Sequence, residues 1–130
     1  MSEEKRRIAL EYPMNSTVSS LYGKLSTDGG LKTWFADDVD CMENVFVFFW
    51  NRIPQEAVML ESRDNKFIRF KWVDDEHDDH YFEFRIENSE LTGELSLVVV
   101  DFAADSEYDD LLNLWDNNIK RLRLSLGVGN

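Results

Sequence analysis

The chain has 130 residues and a formal net charge of −12 at pH 7, and 43% of its residues are hydrophobic and 13% aromatic. This apolar content suits one packed domain over residues 1–130 and excludes a disordered chain. The negative charge disfavours nucleic acid as a partner, and no apolar run approaches the roughly 20 residues needed for membrane insertion as a helix.

The N-terminal third predicts one strand followed by two short helices. Apolar residues alternate over residues 7–12, which indicates a strand that ends at Pro13. Residues 15–16 are suitable caps for a first helix, and the glycines within 28–30 would end it. Residues 31–35 then predict one further helical turn with two aromatic residues turned inward. The first helix carries its apolar side chains on one face: Val18, Leu21, Tyr22 and Leu25.

From residue 45 onward the pattern predicts about five antiparallel strands joined by short turns. The first of them, residues 45–50, is apolar on both faces, which indicates that both faces are covered. The others are expected over residues 57–61, 68–72, 81–86 and 94–102. Consecutive strands with short connections pair antiparallel, so the fold class is α+β rather than α/β.

The C-terminal third predicts a long amphipathic helix from about Ser106 to Leu126. Asp109 and Asp110 complement the positive end of its dipole, and Gly127 is a natural residue to follow its last turn. One face carries the apolar residues Tyr108, Leu111, Leu112, Trp115, Ile119, Leu122 and Leu126. Only the concave face of a twisted sheet is large enough to bury this stripe, so we predict a curved antiparallel sheet wrapped around the last helix.

The order of elements and four short motifs resemble the START-like (SRPBCC, helix-grip) superfamily. Within it the chain is most similar to homologues of the activator of the heat-shock-protein ATPase. Gly29 stands where that branch usually has proline, and Leu114 stands where it usually has glycine. The motifs are the segments 26–35 (STDGGLKTWF), 70–72 (FKW), 92–93 (TG) and 112–119 (LNLWDNNI).

This resemblance implies a helix-grip fold with a cavity between the sheet and the long helix. Members of the superfamily bind lipids, sterols, polyketides or plant hormones in that cavity. Some members are cyclases or dehydratases, and others are protein partners such as chaperone cofactors. Because one fold serves all these roles, the resemblance does not choose among them.

The many aromatic residues would either line a pocket or interdigitate into a solid core. We predict non-catalytic binding of a small hydrophobic or amphipathic, lipid-like molecule, with no cofactor. The alternative is a protein-interaction module similar to a chaperone cofactor, and a third hypothesis is a cyclase or dehydratase. The predicted ligand-binding residues are Trp34, Phe70, Trp72, Phe84, Trp115 and Ile119.

The acidic run over residues 74–79, with His77 and His80, contains residue types that bind divalent metal ions. It lacks the glycine-centred spacing of a calcium loop and the Cys/His spacing of a zinc site. The sequence therefore predicts a solvated hairpin tip and no metal site.

No motif that carries a catalytic mechanism is present, neither a nucleophile elbow nor a glycine-rich phosphate loop. We therefore predict no catalytic residue and regard an enzyme as the less favoured class. If the cyclase hypothesis held, the polar residues placed to act as acid or base in a cavity would be Tyr22, Glu83 and Arg85.

The apolar strand over residues 45–50 indicates a second copy as a candidate partner, and the single cysteine indicates a reducing compartment. The outer face of residues 45–50 would be covered by the short helices or by a second copy, which would make a homodimer. Cys41 is the only cysteine, so no internal disulfide can form. Residues 1–7 are charged and are not followed by the apolar stretch of a secretory signal, so we predict a cytoplasmic location.

Overall fold

The computed structural model describes residues 4–127, and seven strands in that range form one antiparallel sheet. The sheet order is β1-β7-β6-β5-β4-β3-β2, so β1 and β2 are the two edges. The elements are β1 (Arg6–Met14), α1 (Val18–Ser26), α2 (Asp28–Lys32), β2 (Asp38–Met42), β3 (Val45–Trp50), β4 (Ile53–Arg63), β5 (Phe67–Trp72), β6 (Phe82–Asn88), β7 (Leu95–Ala103) and α3 (Tyr108–Ser125). A 3₁₀ turn over Asp105–Glu107 leads into α3.

The α+β class and the curved sheet around the last helix are both confirmed. Trp115, Ile119 and Leu122 are buried on one face of α3, as the apolar stripe predicts. The Trp115 ring meets the Phe84 ring of β6 with their centroids 5.7 Å apart. Tyr12 of β1 also donates a hydrogen bond to the Asp116 carboxylate over 2.8 Å, so α3 is held by both strands.

Two boundaries near the N-terminus differ from the sequence prediction. β1 continues through Pro13, because an edge strand has no second neighbour that needs the missing N–H. Gly29 and Gly30 lie inside α2 instead of breaking a helix. Thr27 starts that helix by accepting a hydrogen bond from the Gly30 amide over 2.9 Å. A side chain at Gly30 would collide with the Gly23 carbonyl, so glycine permits α2 to pack directly on α1.

The edge strand β2 was not predicted at all. Only Val39 of its five residues is buried, so the strand shows no apolar alternation to detect. It forms by pairing with β3, Val39 lying opposite Phe48. The start of α3 also differs from the prediction, since Ser106 lies in the 3₁₀ turn instead of capping the helix. At this end the Glu107 carboxylate accepts a hydrogen bond from the Ala104 amide over 3.0 Å.

Candidate functional site

A cavity of about 430 Å³ lies between the first half of α3 and the ends of β5, β6 and β7. Leu114, which is 52% exposed, and Gln55, which is also exposed, stand on its wall, so the cavity opens to solvent on this side. The apolar part of the wall is mainly aromatic: Phe35, Trp50, Trp72, Phe82, Phe102, Leu111, Leu114 and Trp115.

The position of each residue along its strand decides whether it reaches the cavity. In β5 the residues Ile68, Phe70 and Trp72 all point inward, because side chains on one face recur every two residues. Ile68 and Phe70 are fully buried, whereas Trp72 is half-buried at the end of the strand and lines the cavity. The cavity therefore begins where the packed aromatic core ends.

The structure separates the six predicted ligand-binding residues into two groups. Trp72 and Trp115 line the cavity. Trp34, Phe70, Phe84 and Ile119 are each at most 1% exposed and lie in the core beneath it. The Phe84 and Trp34 rings, for example, meet edge to face with their centroids 5.4 Å apart. A solid core and a pocket thus coexist, and a ligand-binding role for these residues stays a prediction.

Asp101 is a polar residue of the cavity wall that sequence reasoning missed. Its carboxylate accepts hydrogen bonds from the Trp115 indole over 3.1 Å and from the Phe102 amide over 2.8 Å. Burial raises the pKa of Asp101 above its ordinary value, although both hydrogen bonds act in the opposite direction. A signal was available, since Asp101 continues the inward alternation of Leu97 and Val99 in β7.

Asp101 is expected to make the stability of the protein depend on pH. A carboxyl whose pKa is raised in the folded state binds its proton more tightly than in the unfolded chain. The wild type should therefore gain stability relative to Asp101→Asn as the pH falls through that raised pKa, and lose it as the pH rises again. Urea unfolding at about pH 7 and about pH 5 measures this difference. The exposed Glu90→Gln removes an equal charge, and the same pH dependence in this control would contradict the prediction.

The connection between β5 and β6 closes one side of the cavity with Asp75 and His80. His80 is only 8% exposed, and its ring stacks on Phe102 with the centroids 4.5 Å apart. The sequence pattern predicts a solvated hairpin tip for this segment, and the burial of His80 corrects that prediction at its C-terminal end. No periodic pattern could have shown that a histidine of an acidic loop folds back onto the end of β7.

The three polar residues considered for catalysis lie away from this cavity. Glu83 is 2% exposed on the outer face of the sheet, where it accepts hydrogen bonds from Arg69 over 2.8 Å and Arg85 over 3.0 Å. This ion cluster explains how a carboxylate is buried there. Tyr22 is half-buried in α1. None of Tyr22, Glu83 and Arg85 is among the cavity-lining residues of the described chain.

Between residues 4 and 127, no helix has the length and apolar character that crossing a membrane requires.

Comparison with known families and structures gives a consistent result. The family model described as a START-like superfamily domain matches residues 1–128. A solution structure of BfR322 from Bacteroides fragilis is 39% identical, covers 93% of this chain and 90% of that chain, and has a TM-score of 0.68. The chain matches none of the curated proteins with which it was compared.

Two structures of lower identity share the fold. The Aha1 dimer from Colwellia psychrerythraea has a TM-score of 0.77 at 16% identity, with 96% of this chain and 98% of that chain covered. CalU16 from Micromonospora echinospora has a TM-score of 0.71 at 13% identity, with 97% of this chain and 77% of that chain covered. At these identities the two structures show a shared fold.

Proposed function

The chain belongs to the START-like superfamily, and on that basis we propose that it binds a small hydrophobic or amphipathic, lipid-like molecule without catalysing a reaction on it. The observation that carries the proposal is the cavity of about 430 Å³ with its aromatic wall. This volume lies within the roughly 300–1,000 Å³ of known small-molecule sites, which are mostly apolar with a few polar groups. Affinity would come chiefly from the apolar area that the ligand buries.

The charges around the cavity favour a ligand whose polar end donates hydrogen bonds or is cationic. Asp75 and Asp101 contribute two carboxylates to the wall, against the single exposed ammonium group of Lys5. The two carboxyl oxygens of Asp101 have acceptor positions beyond the two used by Trp115 and Phe102, so this side chain can accept a further hydrogen bond. A free fatty acid would bring a third carboxylate into this field and is disfavoured.

Native mass spectrometry tests the proposal. The purified protein is measured before and after incubation with a lipid extract of the expression host, and again after denaturation. We expect one additional mass per chain that disappears on denaturation, and that mass would also identify the class of the ligand. The mass of the bare chain in every sample would contradict the proposal.

A second candidate function is association with a basic protein partner, as in the interaction-module alternative. Edge strand β2 leaves backbone groups unpaired on its free side, and Met42 beside them is 79% exposed. Asp38, Asp40 and Glu43 are exposed along the same edge. A second copy would bring like charges together here, so this edge suits a basic segment better than a homodimer. Such association would weaken strongly with added salt.

Formation of a homodimer and a cyclase or dehydratase activity are two further hypotheses. Val47 and Phe49 on the outer face of β3 are half-buried within one chain, and sedimentation measurements would show whether a second copy covers them. A purely apolar cavity would have ended the cyclase or dehydratase hypothesis, but Asp101 and His80 lie on its wall. We also place the protein in the cytoplasm, since a lone cysteine suits a reducing compartment.

A further inference from the structure

We propose that Asp75, His77 and His80 bind a divalent transition-metal ion such as Zn²⁺ at the mouth of the cavity. The sequence pattern alone predicts no metal here, and the proposal rests on how the folded loop places these three side chains. The site does not depend on the proposed ligand, because all three metal-binding groups come from the loop between β5 and β6.

The loop brings the three side chains together. Its backbone turns back on itself, since the His80 amide donates to the His77 carbonyl over 3.1 Å and the Lys71 ammonium group donates to the carbonyls of both histidines. As a result, one ligand atom from each of Asp75, His77 and His80 lies within 4.8 Å of the other two.

The individual distances suit a tetrahedral ion. Zn²⁺ binds nitrogen and carboxylate oxygen at about 2.0–2.2 Å, which places neighbouring ligand atoms about 3.3 Å apart. His80 Nδ1 lies 3.6 Å from Asp75 Oδ2. His77 Nδ1 lies 3.0 Å from Asp75 Oδ1. The His77 and His80 rings stack with their centroids 4.3 Å apart and 17° between their planes. The His77 side chain, which is 59% exposed, would therefore have to turn out of this stack for its lone pair to face the same ion as His80 Nδ1.

The buried ring of His80 distinguishes this site from an ordinary acidic loop. His80 is 8% exposed, and its Nδ1 atom has no hydrogen-bond partner among the described residues. Buried polar atoms are rarely left without a partner, because they lose their bonds to water. The hydrogen bonds between Asp75 and His77 stabilise the turn of the loop, but they provide no partner for His80 Nδ1. A metal ion accepting this lone pair would satisfy it.

The chemistry of the donors selects the class of metal. Two imidazole nitrogens and one carboxylate suit Zn²⁺, Cu²⁺ or Ni²⁺, whereas Ca²⁺ and Mg²⁺ prefer sites made entirely of oxygen. Three protein ligands leave a fourth position open, as in zinc sites that bind water or substrate. Because Asp75 and His80 are also part of the cavity wall, an ion bound by them would lie at the edge of the cavity.

Calorimetric titration of the intact chain with ZnCl₂ alone, with any histidine-containing tag removed, tests the site. We expect one ion per chain, with the affinity lowered by about 10- to 100-fold or more in His77→Gln and in Asp75→Asn. His77→Gln is the decisive variant, because this exposed side chain can be replaced without disturbing the core. Asp78→Asn removes the same charge as Asp75→Asn from the same acidic run, and its affinity should match the wild type. Absence of binding at one ion per chain would overturn the proposal, as would equal losses in Asp75→Asn and Asp78→Asn.

Nitrogen-15 NMR of the imidazoles gives a second readout that charge attraction alone would not produce. The chain contains only two histidines, so every imidazole signal belongs to His77 or His80. Zn²⁺ should shift the ring-nitrogen signals of both residues together. A shift confined to the exposed His77 would show surface binding only and would overturn the proposed site.

Discussion

Replacing Phe35 with alanine is expected to lower the free energy of unfolding by about 3–5 kcal/mol. Phe35 is 4% exposed, and its ring centroid lies 4.9 to 5.9 Å from those of six other aromatic rings. These neighbours come from the segment after α2, from the two strands β3 and β6 and from α3, so they cannot all move into the space that the ring leaves. They are Trp34, Phe48, Trp50, Phe82, Phe84 and Trp115.

Urea unfolding of the Phe35→Ala variant measures this loss, with Phe49→Ala as the matched control. Phe49 is half-buried on the outer face of β3, so its removal should cost only about 1 kcal/mol. The total stability of a domain is about 5–15 kcal/mol, so the two losses are readily distinguished. Equal losses in both variants would show that the cluster around Phe35 is not the centre of the core.

Replacing Leu111 with tryptophan is expected to abolish ligand uptake, which is the largest functional effect that we predict. Leu111 is half-buried in the first half of α3 and lines the cavity. It precedes Trp115 by one helical turn, so a second indole would stand beside the first and fill the space between helix and sheet. Affinity for the captured molecule should fall by at least about 100-fold, which corresponds to about 2.7 kcal/mol.

Native mass spectrometry of Leu111→Trp should therefore show the bare chain under conditions in which the wild type carries its ligand. Leu124→Trp is the matched control, because Leu124 is 68% exposed in the last turn of α3 and does not line the cavity. The control should keep the additional mass. Full uptake by Leu111→Trp, with both variants folded by circular dichroism, would place the ligand elsewhere and contradict the proposed function.

Much of the fold could be predicted because the spacing of apolar residues indicates which face of a helix or strand packs on the core. The stripe containing Trp115 and Ile119 predicted the buried face of α3, and the alternation in β5 and β6 predicted their inward residues. The sequence prediction fails at the two edge strands, which have a neighbouring strand on one side only. β2 buries only Val39, and Pro13 lies within a strand because β1 is an edge. An edge is a property of the assembled sheet, so it leaves little trace in local sequence.

The amino-acid sequence by itself determined the α+β class, the order of nearly all elements and the apolar face of α3. Only the tertiary structure decided which face of each strand points inward, which inward residues fill the core and which reach a cavity. Phe70 and Trp72 have similar chemistry and the same parity, yet the first is fully buried and the second lines the cavity. The periodicity of a sequence indicates the face to which a side chain points, but it does not indicate how deeply that side chain is buried. Burial depends on where the strands and α3 end relative to one another. The meeting of Asp75 with His80 likewise depends on how a loop folds against β7, which no repeat in the sequence encodes.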